Sequence, residues 1–238
     1  MRIRNKKNLL PRLEKVSDLI YIPKITEPDH RKLIGSEILE QTKASEVYLE
    51  IGCGMGRFTT ELAKRYENVQ IIAVEQEKNV IVKAAEIAKE NGCENILFLL
   101  TGAEYLLRFI DGNSIDRLYL NFSCPYPKKS YANRRLTSPK FLEIYHEILK
   151  PEGLIFQKTD NDDFFEFSNE NFEDFGFTNK VNCRDLYKSE YIEENIPTEY
   201  EKKFVSQNKN INFAVWQNYK EDWIWEIGKK KKKTELSS

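Results

Sequence analysis

The sequence has few of the residues on which several protein classes depend. Its 238 residues include four cysteines and two histidines. The cysteines show no C-x-x-C spacing; they are Cys53, Cys93, Cys124 and Cys183. This scarcity argues against a disulfide framework, a metal site or a histidine-based nucleophile. No apolar run approaches the length needed to span a bilayer, and the initial MRIRNKK lacks the apolar core of a signal peptide, so we expect a cytoplasmic protein without membrane contacts.

Charge is balanced overall but unevenly distributed. The net charge is −1, yet basic residues gather near the amino terminus, at 128–135 and at 229–233. Separate basic clusters on a near-neutral chain are typical of a protein with one face prepared for a polyanion. Plain solvated surface charge explains the two terminal clusters equally well.

The order of apolar and helix-like segments predicts one α/β domain. The chain shows no internal repeat and no linker, and its length suits a single domain. We expect that domain over residues 1–228, with a basic amino-terminal arm that Pro11 and Pro23 interrupt, and a short helix at 27–41. Residues 229–238 form a lysine-rich tail that we expect to be disordered.

Seven strands are predicted, in a mainly parallel sheet with helices on both faces. The predicted strands are 47–49, 69–74, 96–100, 115–121, 154–158, 177–181 and 211–216. The predicted helices between them are 57–66, 80–90, 105–110, 139–150 and 162–175. The chain should therefore form a Rossmann-like sheet with a ligand crevice at the carboxyl ends of its strands.

The most informative stretch is VYLEIGCGMGR at 47–57. An apolar run ends in Glu50, and glycines at alternate positions lead into a predicted helix: Gly52, Gly54 and Gly56. The spacing differs from the dinucleotide fingerprint G-x-G-x-x-G, and a carboxylate would repel a phosphate while attracting a cation. This combination favours S-adenosylmethionine, which carries an ammonium and a sulfonium, with Glu50, Gly52 and Gly54 as contacts. Tight packing of the turn is the alternative explanation of the glycines.

The EIGCGMG segment also resembles the first motif of class I S-adenosylmethionine-dependent methyltransferases. Further cofactor contacts are predicted at the ends of the following strands. Glu75 ends the second buried strand, where an acid accepts hydrogen bonds from a ribose diol, although a plain surface carboxylate is the alternative. Ala103 and Glu104 should run past the adenine ring, and Asn121 should lie at the same sheet edge.

A second chemically distinctive segment, NFSCPYPKKSYANRRL, occupies 121–136. Two prolines rigidify it, and Tyr126 offers a ring that can stack on a purine. The cations that follow suit a nucleic-acid backbone; they are Lys128, Lys129, Arg134 and Arg135. The alternative is a rigid loop whose tyrosine merely packs against the core.

Three separated motifs carry a more specific resemblance. NFSCPYPKKSYANRRLTSPKFL, FQKTDN and PTEYEKKF resemble, in that order, the bacterial tRNA (guanine-N7-)-methyltransferase family. The likeness extends from the basic amino terminus to about residue 213. It implies a Rossmann-like class I methyltransferase fold and transfer of the S-adenosylmethionine methyl group to N7 of a guanosine in the tRNA variable loop.

The resemblance also implies roles for individual residues. Glu50 and Glu75 match the two acids that bind S-adenosylmethionine. The positions that match substrate-binding residues are Lys128, Asp160, Thr198, Glu199, Tyr200 and Glu201. Residues 130–135 overlay the part that grips the RNA. We expect RNA contacts from Arg134 and Arg135 in that segment and from Lys129 next to it.

Two acids of that family are missing here. Cys124 stands at the position of the loop aspartate commonly assigned as catalytic, and Gly102 at that of an aspartate near the adenine. Cys124 is therefore our predicted residue at the catalytic position. A catalytically degenerate S-adenosylmethionine- or RNA-binding protein is the main alternative, and a small-molecule methyltransferase, which the basic loop disfavours, is a third. A monomer or homodimer is expected.

Overall fold

A computed structural model describes residues 8–23 and 44–219 and contains one sheet. Its strands are β1 (Ile20–Tyr21), β2 (Glu46–Ile51), β3 (Val69–Glu75), β4 (Ile96–Leu100), β5 (Ile115–Asn121), β6 (Leu149–Thr159), β7 (Thr178–Cys183) and β8 (Asn212–Gln217). They lie in the order β1-β4-β3-β2-β5-β6-β8-β7. The pairs from β1 to β6 are parallel, whereas β8 is antiparallel to both β6 and β7.

Helices follow most of the strands. The α-helices are α1 (Leu9–Glu14), α2 (Arg57–Arg65), α3 (Lys78–Glu90), α4 (Pro139–Ile148), α5 (Asp162–Phe175) and α6 (Glu199–Val205). Local signals explain the bounds of α5. Its N-cap Asn161 accepts a hydrogen bond from the Phe164 N–H, and it stops at Gly176, whose φ of +102° is disfavoured for other residues.

Two apolar layers cover the two faces of the sheet. The alternation of side chains along β2 sends Val47 and Leu49 into one layer and Tyr48 into the other. The first layer is completed by α4 and α5, and the second by α1, α2 and α3. Each large side chain buried this way contributes about 1.5–3 kcal/mol. The helices are thereby held on both faces and leave the strand ends open.

The fold class predicted from the sequence is confirmed, with differences in detail. The sheet has eight strands rather than seven because β1, from the amino-terminal arm, pairs with β4 through Ile20 and Phe98. Two residues are too few to show a periodic pattern. The helix predicted at 105–110 is a 3₁₀ helix, Ala103–Arg108, and β6 begins earlier than expected. The predicted helix at 27–41 and the tail at 229–238 lie outside the described residues.

The topology determines where a ligand can bind. β2 lies between β3 and β5, so the chain leaves it in opposite directions on its two sides. In open α/β sheets the crevice at the carboxyl ends of the strands opens at such a reversal. The glycine loop, Glu75 and Asn121 therefore meet at one edge. In the described part of the chain, no helix has the length and apolar character needed to cross a membrane.

Candidate active site

One cavity at this edge collects most of the predicted residues. Its volume is about 710 Å³, within the range of about 300–1,000 Å³ usual for small-molecule sites. The predicted residues that line it are Glu50, Gly52, Gly54, Glu75, Ala103, Glu104, Asn121, Cys124, Arg134, Thr198, Glu199 and Tyr200. The predicted residues that do not line it are Lys128, Lys129, Arg135, Asp160 and Glu201.

Two groups of segments line much of the cavity. We call residues 50–58 and 74–76 the glycine wall, and residues 121–126 and 198–200 the flap wall. In the glycine wall, Gly52, Gly54 and Gly56 have φ values of +79°, +56° and +73°. A Cβ at Gly52 or Gly54 would meet nothing within 4 Å, whereas one at Gly56 would lie 2.6 Å from Ala84 Cβ. Gly56 is therefore needed for packing against α3, and the other two leave the backbone open to a ligand.

Glu50 is a buried acid at the base of the glycine wall, with only 2% of its surface exposed. Its carboxylate accepts hydrogen bonds from Thr59 Oγ1 at 2.5 Å and from Asn121 Nδ2 at 3.2 Å. Burial raises the pKa of Glu50 to about 6, although both hydrogen bonds and the charge of Lys158 oppose the shift. At neutral pH the group is mostly ionised and ready to pair with a cation.

The carboxylate of Glu75 is held by backbone donors at the end of β3. Its Oε2 accepts from the Gly54 N–H at 3.2 Å, and its Oε1 accepts from the N–H groups of Gln76 at 2.8 Å and Glu77 at 3.0 Å. Because this side chain is tied to both the glycine loop and the start of α3, its oxygens have a fixed position. They are acceptors at the cavity surface.

The flap wall contains unusual backbone geometry. Phe122 and Tyr126 have φ values of +50° and +39°, which non-glycine residues rarely adopt. Arg135 donates to the carbonyls of Pro125 at 2.9 Å and Tyr126 at 3.1 Å. Strained conformations of this kind persist only where the surroundings enforce them, and they concentrate at functional sites. Arg135, predicted as an RNA contact, thus braces the loop that presents the exposed Cys124 to the cavity.

A buried ion pair supports the other half of the flap wall. Lys158 Nζ lies 2.6 Å from Glu201 Oε2, and the two side chains are 6% and 0% exposed. The ammonium also donates to Asn195 Oδ1 and to the Ile196 carbonyl. Thr198 and Glu201 form the capping box that starts α6. Glu201, predicted to bind substrate, is therefore interior in this structure and fixes the helix start.

An ion pair joins the two walls at the rim of the cavity. Arg57 Nε, at the start of α2, lies 2.6 Å from Glu199 Oε1. The neighbouring Tyr200 is 62% exposed and stacks with Phe204, which in turn contacts Phe122. The rim thus combines an exposed aromatic ring with a pair of opposite charges, groups suited to contact a base and its backbone.

Several predicted substrate contacts lie away from the cavity. Asp160 Oδ2 is 2.7 Å from Lys209 Nζ, so its charge is already paired. Lys128 and Lys129 are exposed and do not line the cavity. Arg134 does line the cavity, with its guanidinium 4.6 Å from the ring of Tyr131. These positions remain predictions for contacts with a large partner.

Sequence reasoning missed three residues that shape the site: Lys158, Thr59 and Arg57. The sequence does contain a signal for Lys158, because a basic residue stands at the end of the buried strand LIFQK. Thr59 has none, since a threonine inside a helix is ordinary until the fold places it beside Glu50. Arg57 was assigned only to a helix start, and its partner Glu199 lies far away in the sequence.

Comparison with known proteins gives the class first. The fold is that of class I S-adenosylmethionine-dependent methyltransferases. The crystal structure of the 16S rRNA methyltransferase KamB matches with a TM-score of 0.59 at 15% identity, covering 79% of this chain and 95% of that one. A family model described as "Putative methyltransferase" matches residues 44–214.

Closer sequence relatives give the family. A tRNA (guanine-N(7)-)-methyltransferase of Macrococcus caseolyticus (strain JCSC5402) is 42% identical over 166 residues, which are 70% of this chain and 79% of that protein. Another, of Clostridioides difficile (strain 630), is 37% identical over 211 residues, 89% of this chain and 96% of that protein. The chain belongs to the tRNA (guanine-N(7)-)-methyltransferase family.

Proposed function

We propose that this chain transfers the methyl group of S-adenosylmethionine to N7 of a guanosine in the variable loop of tRNA. The observation that carries the proposal is the meeting in one cavity of the glycine wall, with its two acids, and the flap wall, with the ring of Tyr126. Membership of the family supports the reaction and the substrate class, because the relatives are named for both.

The glycine wall fits S-adenosylmethionine. The buried carboxylate of Glu50 suits the ammonium of the cofactor, and the fixed oxygens of Glu75 suit ribose hydroxyls. Open space beside Gly52 and Gly54 allows close approach to the backbone. Ala103 and Glu104 would border the adenine, and Asn121 would orient Glu50. When bound, the cofactor supplies an electrophilic methyl group on a sulfonium.

The chain has no proton to remove in this reaction, because guanine N7 carries a free lone pair. Its tasks are to align the base and to offset the positive charge that arrives there. Alignment alone accounts for about 7–11 kcal/mol in favourable intramolecular reactions. Asp160, Glu199 and Glu201 are each paired with a basic side chain, but of these three acids only Glu199 lines the cavity. We therefore assign that part to Glu199.

Cys124 enters this proposal as a lining residue without a covalent role. Its thiol is exposed at the cavity, but attack by N7 requires no enzyme adduct. The same cysteine is the observation that favours the second candidate, a degenerate protein that binds the cofactor and RNA without transferring the methyl. The negative groups retained around the cavity favour the enzyme.

One assay tests the proposal against its alternatives. The purified protein is incubated with radiolabelled S-adenosylmethionine and unmodified tRNA, and the nucleosides are then analysed by mass spectrometry. 7-Methylguanosine in the tRNA is the expected result. Cofactor binding without label in tRNA identifies the degenerate protein, and label confined to small molecules identifies a small-molecule methyltransferase.

The finer features of the proposal rest on exposed residues and on residues outside the described part. Lys128, Lys129 and Arg134 are exposed and would neutralise phosphates of the tRNA. Residues 8–23 of the amino-terminal arm are described, whereas residues 1–7 and the lysine-rich tail lie outside the described part. A single domain over 1–228, a cytoplasmic location and a monomeric or homodimeric state stay predictions. The described residues hold no cluster of three or more potential metal ligands.

A further inference from the structure

A second depression, which we call the α2 groove, lies between α2 and the segment that leads into α6. Its volume is about 970 Å³. Arg57 and Glu199 line both this groove and the cavity, so the two are contiguous. The mechanism described above makes no use of the groove.

Cations outnumber anions along the α2 groove. Its basic residues are Arg57, Lys64, Arg65 and Lys202, and its acidic residues are Glu61 and Glu199. Each acid already pairs with one of the cations. Glu61 Oε1 lies 3.2 Å from Lys64 Nζ, and Glu199 pairs with Arg57 across the rim. Two positive charges are therefore left over.

Those two charges belong to Arg65 and Lys202, which lie on different elements and are both exposed. Arg65 donates to the neutral carbonyl of Glu194 at 2.6 Å, which leaves its charge uncompensated. Lys202 takes part in no ion pair within residues 8–23 and 44–219. One cation without an ion-pair partner among the described residues therefore lies on each side of the groove.

Favourable interaction with a helix dipole is another reason for cations in the last turn of a helix. The helix dipole does not explain why residues of two different helices border the same groove, or why that groove is contiguous with the cavity. The distance along α2 from Arg57 to Lys64 is about 10.5 Å at about 1.5 Å per residue. In a B-form duplex each strand carries one phosphate per about 3.4 Å of axis, so a backbone of that spacing has about three phosphates in this length.

We propose that the α2 groove holds the sugar–phosphate backbone of the RNA strand that continues from the nucleotide in the cavity. The proposal rests on the proposed function, which supplies the RNA. Arg65 and Lys202 contact its phosphates, and Lys64 exchanges its weak, solvent-exposed pair with Glu61 for a third phosphate. The Arg57–Glu199 pair marks the boundary between base and backbone sites. This surface is additional to the cluster of basic residues at 128–135.

The test removes charge from the groove while leaving the cavity unchanged. The variant K64Q/R65Q/K202Q is compared with wild type in equilibrium binding of unmodified tRNA across a range of salt concentrations. Three lost phosphate contacts should reduce the slope of log affinity against log salt by roughly 2–3, since each contact contributes about 0.7–0.9. Affinity should fall by at least about tenfold at moderate salt.

A matched control, K83Q/K180Q/K188Q, removes the same charge from lysines that line neither the cavity nor the groove. It should keep the wild-type slope. Equal slopes for the two triple variants would overturn the groove proposal. Calorimetry with S-adenosylmethionine should give the same affinity for all three proteins, which shows that the cofactor site is intact.

A second measurement on the unmodified protein avoids any folding defect of the variant. Ultraviolet cross-linking to tRNA, followed by peptide mass spectrometry, should place cross-links within α2 and α6. Cross-links confined to 121–136 would overturn the proposal. The two proposals can be contradicted independently. If the wild-type protein transfers no methyl group to tRNA, the proposed function is wrong. If it does transfer the methyl group but the α2 groove contributes nothing to tRNA binding, only the groove proposal is wrong.

Discussion

The glycine wall is held largely by hydrogen bonds between backbone groups, whereas the flap wall is held largely by side chains. The N–H groups of Gly52 and Cys53 both donate to the Val74 carbonyl, at 2.8 and 3.0 Å. The flap wall depends instead on Arg135 and on the pair of Lys158 with Glu201. The comparison teaches that the glycine wall can be built within one β-α-β unit, β2-α2-β3, whereas the flap wall requires elements from later in the chain.

The largest expected effect comes from breaking the flap wall at Lys158. Lys158→Met leaves the Glu201 carboxylate buried without its partner, and breaking such a pair costs about 3–5 kcal/mol. We expect that loss in the free energy of unfolding, measured with urea. Because α6 loses its anchor, methyl transfer to tRNA should fall further than affinity for S-adenosylmethionine.

The double variant Lys158→Met, Glu201→Leu is the control for this prediction. Replacing both charges removes the unpaired carboxylate, so stability should return toward that of wild type while tRNA methylation stays impaired. A single variant as stable as wild type would show that the pair does not hold the flap wall.

The next effect separates two glycines of the glycine wall. Both Gly54→Ala and Gly56→Ala should lower the free energy of unfolding by about 1–2 kcal/mol, because alanine is disfavoured in a left-handed backbone conformation. Only Gly56→Ala also forces a contact with Ala84, where overpacking adds about 1–3 kcal/mol. Thermal and urea unfolding should therefore rank Gly56→Ala as the more destabilised. Equal losses would contradict the packing role given to Gly56.

Glu50→Gln should stabilise the free protein and weaken its affinity for S-adenosylmethionine. The pKa of Glu50 is about 6 in the folded chain against an ordinary value of 4.5, so its ionisation opposes folding as pH rises through that interval. Removing the charge should stabilise the free protein by about 2 kcal/mol at pH 8 and leave it unchanged at pH 4. Affinity for S-adenosylmethionine should fall roughly 10–100-fold with the lost charged contact.

Glu61→Gln provides the matched control, because this glutamate is 60% exposed on α2 and does not line the cavity. It should change stability by less than about 0.5 kcal/mol at either pH. In the wild type, cofactor affinity should weaken as pH drops below about 6, where Glu50 takes up a proton. If the affinity for S-adenosylmethionine did not change between pH 5 and pH 8, Glu50 would not be a cofactor contact.

The smallest effect is expected at Cys124. Cys124→Asp should methylate unmodified tRNA at least as fast as wild type, because a carboxylate here would stabilise positive charge arriving on the base. Single-turnover transfer is the suitable measurement, with Cys124→Ser as a neutral control of similar size. A large loss in the aspartate variant would instead mean that the thiol has its own role.

Much of the fold followed from local patterns. The apolar runs that became β4 and β5, and the helix α5 with its stop at Gly176, were predicted with the bounds that the structure shows. Such segments carry their signal in consecutive residues. β1 could not be predicted, because a two-residue strand exists only through its pairing with the distant β4.

The candidate site divides in the same way. Most predicted cofactor residues fall on strand ends that a parallel sheet necessarily brings to one edge. The partly buried position of Arg135 and the buried position of Glu201 could not be predicted from the sequence, since an arginine in a basic run and a glutamate in a charged helix both look exposed. Their partners, the carbonyls of 125–126 and Lys158, are decided by how the chain folds back.

The amino-acid sequence by itself determined the glycine loop, the acids Glu50 and Glu75, and the parallel strands that carry them, because hydrophobic periodicity and glycine spacing act over short stretches. Only the tertiary structure decided that Glu50 is buried against Thr59, that Lys158 anchors α6, and that a basic groove continues from the cavity. Those features depend on burial and on charges from separate elements, which exist only once the chain is packed.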